Sequence, residues 1–233
     1  MVLVAARNPL NIGAAARAMS NFGFSRLRVV NPYQVAFREA QSAVGAAGLL
    51  ADAQEYESVA EAVADCTLVV GTTAGRGREM AQSLRRLESG ARLIRTRLKS
   101  GDVALLFGSE KRGLSNDDLS HCHWLMRIPT DQGRGSMNLG QAVAVCLYEL
   151  IRDAKSAGRT EKILPATAAD LERITKLLLD ALQASGYSKQ TPTADAQARI
   201  RRLILRLQIP APDVQSWLGF LRQILWKVGS SQD

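Results

Sequence analysis

The chain has 233 residues, 46% of them hydrophobic, which is enough for a sizeable core without disulfide or metal staples. Lys and Arg outnumber Asp and Glu by 30 to 22, giving a formal net charge of +8 and a pI near 9.8, which favours a polyanionic partner without identifying it. No apolar stretch reaches about 18 residues and the first residues enter a strand pattern directly, so neither a membrane span nor a signal peptide is expected.

Residues 2–5 (VLVA) form the first β-type run. Asn11 can cap a helix over 12–22, which Gly23 can end. A second strand is predicted over 27–30, a helix over 59–64 and a third strand over 67–70. The Gly71-Thr72-Thr73-Ala74-Gly75-Arg76-Gly77 segment that follows lacks both the dinucleotide fingerprint and the Gly-Lys-Ser/Thr ending of a P-loop, so a nicotinamide or nucleoside-triphosphate site is not expected there. A helix over 80–98 is strongly basic, with Arg85, Arg86, Arg92, Arg95, Arg97 and Lys99 continuing from Arg76 and Arg78. Such a face is either solvated or in contact with RNA phosphates, which position a substrate without reading its sequence.

Strands over 103–107 and 124–128 and a helix over 139–155 complete the alternation. Several strands are continuously apolar, as expected for parallel strands covered on both faces. The β-α order therefore predicts a doubly wound α/β domain over 1–158. Between those last two strands, His121-Cys122-His123 has no second ligand pair at zinc-site spacing, so no metal is expected. The three cysteines, Cys66, Cys122 and Cys146, read as reduced, mostly buried thiols of a cytosolic protein.

Beyond a linker at 159–165 the pattern becomes purely helical. Leu171, Ile174, Leu178 and Leu182 follow helical spacing; so do Ile200, Leu203, Ile204 and Leu207, and then Val214, Trp217, Leu218, Leu221, Leu225 and Val228. Residues 159–233 thus form a small all-α extension, which is expected to dock on the first domain or on a partner chain. Arg199, Arg202 and Arg206 fall on one face of its second helix, opposite that apolar stripe.

Three segments mark ligand-binding loops: Asn11-Ile-Gly-Ala-Ala-Ala-Arg17, Phe107-Gly-Ser-Glu-Lys-Arg-Gly-Leu-Ser115 and Ile128-Pro-Thr with Gly135-Ser-Met-Asn-Leu139. Each sits where an apolar run gives way to glycine and polar residues, the strand-end position at which open α/β sheets bind ligands. Taken singly they have plainer readings: Asn11 as a cap, Arg17 as an exposed helix residue, Glu110 as a partner of Lys111 or Arg112. Asn138, followed by Gln141, resembles a capping box. Gly108 would permit close backbone approach to a bound cofactor, and Gly113 a sharp turn beneath it.

In order and spacing the three segments resemble the signature motifs of the SpoU/TrmH ribose 2′-O-methyltransferases of the SPOUT superfamily. The resemblance implies a parallel-sheet SPOUT domain with a C-terminal trefoil knot, homodimers whose sites combine residues of both chains, and S-adenosyl-L-methionine as cofactor, with S-adenosyl-L-homocysteine as product and no metal. It assigns cofactor binding to Thr72, Thr73, Ala74, Gly108, Ile128, Gly135, Ser136, Met137 and Leu139. It makes Arg17 the catalytic arginine, with Asn11, Glu110, Ser136 and Asn138 completing the catalytic set. The helix over 139–150 and the alanine-rich helix from Ile12 are the segments to look for at a dimer interface. The helical tail resembles the extension of those members that methylate nucleotide 32 in the tRNA anticodon loop, which implies tRNA as partner and a cytoplasmic location. A ribosomal-RNA 2′-O-methyltransferase and a non-catalytic RNA-binding homologue are the alternatives. An arginine is an awkward general base because its pKa exceeds about 12. Arg17 as a perturbed base, and Arg17 as a group that orients phosphate or stabilises the forming alkoxide, both stay open.

Overall fold

The continuously apolar runs become the inner strands of one parallel sheet. The structure, a computed structural model, describes residues 1–41, 45–74, 82–131, 136–152, 164–187 and 193–229. Gly135, Arg76, Arg78 and the expected boundary at 158 lie outside the described residues. Strands β1 (Val2–Val4), β2 (Arg28–Val30), β3 (Gln54–Tyr56), β4 (Leu68–Thr72), β5 (Leu84–Arg86), β6 (Val103–Phe107) and β7 (Trp124–Arg127) lie in the order β3-β2-β1-β6-β4-β7-β5. Every neighbouring pair is parallel, with Leu3 opposite Phe107 and Gly71 opposite both Leu106 and Leu125.

Successive strand residues point to opposite faces, and both faces are covered. Leu3, Val29, Val70, Leu105, Phe107 and Met126 pack on α1 (Pro9–Asn21), α2 (Gln34–Gln41), α5 (Leu87–Arg97) and α7 (Leu139–Arg152). Val2, Val4, Val69, Ala104, Leu106 and Leu125 pack on α4 (Val59–Ala62) and α6 (Asn116–Ser120). A further short helix, α3 (Ala47–Ala51), lies between β2 and β3.

Three expectations need correction. Asn8, not Asn11, caps α1: its side chain accepts from the Leu10 N–H, and Pro9 takes the first helical position, where its missing N–H costs nothing. The helix expected over 80–98 starts only at Leu87, because Leu84–Arg86 pairs with β7 as an edge strand. β3 was likewise illegible. Both edge strands are three residues long with little burial, so no apolar period announces them, and the two arginines of β5 suit an exposed edge. Gly23, at φ +76°, does follow the end of α1, as anticipated.

The third correction concerns the tail. Helices α8 (Ala168–Ala184), α9 (Ala194–Arg206) and α10 (Val214–Gly229) enclose a core of their own around Ile174, Ile204 and Leu218. In α9, however, Ala198, Ile204 and Leu205 are buried, while Leu203 and Leu207 are 40% and 47% exposed. The helix is turned by Arg201, whose guanidinium forks onto Glu172 at 2.8 and 3.1 Å and donates to the buried Ser120 hydroxyl of α6 at 2.6 Å. The tail is also tied to the sheet domain through its backbone: Ala168 N–H donates to Cys66 O (2.7 Å) and Ala169 N–H to Ala64 O (2.9 Å).

All three cysteines are buried free thiols; burial pushes Cys66 and Cys146 up to about 12 and Cys122 higher still. Among the described residues no helix is long and apolar enough to cross a membrane.

Candidate active site

The C-terminal ends of β4, β6 and β7 meet the start of α7 around a cleft of about 620 Å³. Its walls include Asn11, Thr72, Thr73, Ala74, Gly108, Glu110, Ile128, Ser136, Met137, Asn138 and Leu139, so residues far apart in the chain share one cavity. Strand ends put them there: Thr72 closes β4 by donating its hydroxyl to Leu106 O (2.8 Å), and Thr73 N–H donates to Met126 O (3.0 Å). Leu114, Leu119, Met126 and Ala142 add apolar wall, and Thr130 adds a hydroxyl. Leu114 and Thr130 fall within the marked segments without being singled out, and sequence reasoning missed Leu119, Met126 and Ala142 altogether. Leu119 belongs to a five-residue helix with no legible period, and Met126 is an ordinary core residue by pattern.

The loop after β6 folds back on itself. Ser109 and Gly113 form an antiparallel bridge, and Gly113 N–H donates to Ser109 O at 2.8 Å. Any side chain on Gly108 would collide with the Gly113 and Leu114 backbone. The glycine is therefore required by the loop's own packing, and it also lines the cleft. Gly113, at φ +67°, makes the turn.

This fold-back presents Glu110 to the start of α1. Its carboxylate accepts from Arg7 N–H (3.2 Å), Asn8 N–H (3.1 Å) and Asn11 Nδ2 (3.0 Å). Asn11 Oδ1 in turn accepts from Asn138 Nδ2 (2.7 Å), while Asn138 Oδ1 caps α7 by accepting from Gly140 N–H (2.9 Å) and Gln141 N–H (3.3 Å). One chain of hydrogen bonds thus joins β6, α1 and α7. Burial pushes the Glu110 carboxyl up, but these donors outweigh it and hold it below the usual carboxylate range. Gly140 lets α1 and α7 approach, since a Cβ there would come within 2.6 Å of the Ala14 Cβ.

Arg17 does not line this cleft. It stands six residues beyond Asn11, which is about 9 Å further along the helix and about 120° round it. Its side chain is exposed and has no hydrogen-bond or ion-pair partner among the described residues. Leu10 (80% exposed) and Ala14 share its stripe, and exposed Val145, Tyr148 and Ile151 lie alongside on α7, where Tyr148 meets Phe22 at 6.3 Å between ring centroids. Ser136 is exposed at the cleft rim.

The basic stretch is not a uniform face. Arg86 pairs with Glu88 (3.2 Å), Arg95 donates to Glu149 O (2.7 Å), and Arg85 lies over Trp124 at 5.6 Å. The His121–His123 run is used internally. His123 Nδ1 accepts from Val69 N–H (3.1 Å), and burial brings its pKa down to about 4. Among the described residues no group of three His, Cys, Asp or Glu could hold a metal ion.

The SpoU rRNA Methylase family matches residues 1–148. The tRNA (cytidine/uridine-2′-O-)-methyltransferase TrmJ of Photorhabdus laumondii is 33% identical over 235 residues, which is 98% of this chain and 95% of that protein. The crystal structure of TrmJ from Z. mobilis ZM4 superposes with a TM-score of 0.81 at 32% identity, over 96% of this chain and 97% of the other. A structure concerned with 2-OH methylation of C/U34 on tRNA gives a TM-score of 0.51 at 27% identity, over 67% of this chain and 95% of that one.

Proposed function

The chain belongs to the SpoU rRNA methylase family, and on that premise we propose that it is a cytoplasmic, homodimeric enzyme that transfers the methyl group of S-adenosylmethionine to a ribose 2′-hydroxyl of tRNA, at nucleotide 32 of the anticodon loop. The observation that carries this reading is the hydrogen-bonded set of Glu110, Asn11 and Asn138 on the wall of a cleft built from three strand ends. The choice of tRNA is supported by the relatives of matching length, which run through the helical tail. The C/U34 structure aligns with only two-thirds of this chain while being nearly covered itself, so about a third of this chain has no counterpart there, and the choice of nucleotide 32 rests on the resemblance of the helical tail.

The cleft suits the cofactor chemically. Leu114, Leu119, Met126, Ile128 and Leu139 offer an apolar seat for a flat base, while Thr73, Thr130, Ser136 and the strand-end backbone offer polar partners for a ribose and an amino-acid tail. When bound, the cofactor supplies an electrophilic methyl group on a sulfonium. The chain has then to align the ribose oxygen and dispose of one proton. Glu110 is acceptor-only and already engaged by three N–H donors, so we assign it to hold Asn11 and Asn138 in place rather than to move the proton. The apolar stripe shared by α1 and α7 is assigned to the dimer contact, which carries each Arg17 to the partner's cleft. There its guanidinium orients RNA phosphate or stabilises the developing alkoxide. On the same likeness, Gly135 belongs to the cofactor loop, and the chain after β7 is drawn through a trefoil knot.

Nucleoside mass spectrometry of tRNA and rRNA after incubation with S-adenosylmethionine tests the assignment. The expected product is a 2′-O-methylated pyrimidine at position 32 of tRNA. Product confined to rRNA would change the substrate class, and cofactor binding with no product in either RNA would mark a non-catalytic homologue.

We assign residues 159–233 to tRNA recognition. Arg199 and Arg206 are exposed and Arg202 is half-buried on α9. Removing the tail would uncover Ser120 and the α4 face it packs against, so substituting all three arginines with alanine is the cleaner test. The triple variant is expected to weaken tRNA binding and to reduce the log–log salt slope by roughly 2–3, with cofactor affinity unchanged. An unchanged slope, measured by filter binding across salt, would show that α9 contacts no phosphate.

A further inference from the structure

A stiff turn beside the cleft holds an aromatic ring and a guanidinium together in solvent. After β2, Asn31 takes φ +47° in the left-handed region, and Pro32 restricts the next φ. Tyr33 then opens α2, its carbonyl accepting from Phe37 N–H at 3.0 Å. Tyr33 is 51% exposed, in a chain with only 5% aromatic residues. The Arg7 guanidinium lies 5.9 Å from its centroid and has no carboxylate partner among the described residues. The Arg7 backbone N–H is itself bonded to Glu110, so the pair stands one arginine side chain away from the cleft wall. Exposed Lys111 and Arg112 lie on the same rim.

We propose that Tyr33 and Arg7 form a stacking platform for the base of a nucleotide adjacent to the one methylated. This rests on the RNA-substrate reading above and extends it to a residue that none of the three sequence segments contains. A single-stranded loop nucleotide can be splayed out so that its base face needs a partner, and an exposed ring backed by a cation supplies one without reading sequence. The neighbouring cations suit the intervening phosphates. The ring is positioned by backbone constraints at Asn31 and Pro32 rather than by burial, as a preformed platform requires. With the Arg7 side chain standing between it and Glu110, the ring faces a neighbouring nucleotide rather than the target ribose itself.

The test uses the full-length protein and a synthetic anticodon stem-loop, intact or abasic at either nucleotide flanking the target. Tyr33→Ala is expected to raise the Kd and KM for the intact stem-loop roughly tenfold, with kcat and S-adenosylhomocysteine affinity held. Tyr33→Phe should restore both, because stacking needs the ring and not the hydroxyl. One abasic site should cost the unaltered protein a similar factor and cost Tyr33→Ala nothing further, the coupling that a direct contact demands. Unchanged RNA affinity in Tyr33→Ala, or a full abasic penalty in that variant at both positions, would overturn the platform while leaving the RNA substrate intact. Absence of stem-loop binding by the unaltered protein would overturn the RNA substrate itself, and the platform with it.

Discussion

Arg17→Ala is expected to abolish methyl transfer, lowering kcat by roughly a thousandfold as loss of a charge-stabilising donor does elsewhere, while leaving the affinity for S-adenosylhomocysteine within a few fold. The second half follows from the role assigned to Arg17, whose guanidinium meets RNA phosphate or the forming alkoxide rather than the cofactor, and which lines no part of its own chain's cleft. The first half follows if the exposed stripe of Leu10, Ala14 and Arg17 meets a second copy. Arg17→Lys keeps the charge but loses the planar donor fork, and should be badly impaired as well. Mixing separates the arrangements. Combining Arg17→Ala with a cleft variant such as Asn138→Ala should restore about a quarter of normal turnover, since a two-fold dimer built at random rebuilds one intact site in half of its molecules. No recovery would place Arg17 in its own chain's site, and sedimentation as a monomer with turnover intact would remove the dimer. Near-normal turnover by Arg17→Ala would take it out of the mechanism.

How far the sequence reaches depends on whether the signal is local. β1, β4, β6 and β7 are runs of apolar residues buried on both faces, and they stand out without any knowledge of their neighbours. β3 and β5 are held by backbone pairing to a single neighbour, which leaves no mark on side-chain type. The cleft residues were legible because three motifs close strands that the sheet brings side by side. What joins them was not. Asn11 looks like a helix cap because the residues nearest to it say so, whereas its actual partner, Glu110, is 99 positions away. Arg201 carries no sequence signal of its own, yet it turns α9 inward through Glu172 and Ser120, and no spacing rule foresees an ion pair between helices.

Glu110→Gln should damage both stability and turnover, by a route that excludes proton transfer. The carboxylate offers two acceptor oxygens to three N–H donors, whereas a carboxamide offers one oxygen and turns its own N–H₂ toward the others. Hydrogen bonds to a charged group contribute about 1.5–3 kcal/mol each, and the variant keeps weaker versions of some of them, so a net loss on the order of 2 kcal/mol is expected. That corresponds to roughly 4–8 °C in Tm for a chain of this size. The folded pKa of Glu110 lies below the ordinary 4.5, so its contribution is fully present above that value and is lost as pH falls through the folded one. The Tm difference between the two proteins should therefore be flat through neutral pH and should narrow only in acid. Turnover should fall further than stability, because Asn11 and Asn138 lose the anchor that fixes them at the start of α7. Yet the shape of log kcat against pH should be unchanged in the neutral range, where Glu110 is ionised throughout. A limb of that profile that vanishes in Glu110→Gln would make Glu110 the proton acceptor and would reassign the hydrogen-bonded chain from scaffold to chemistry.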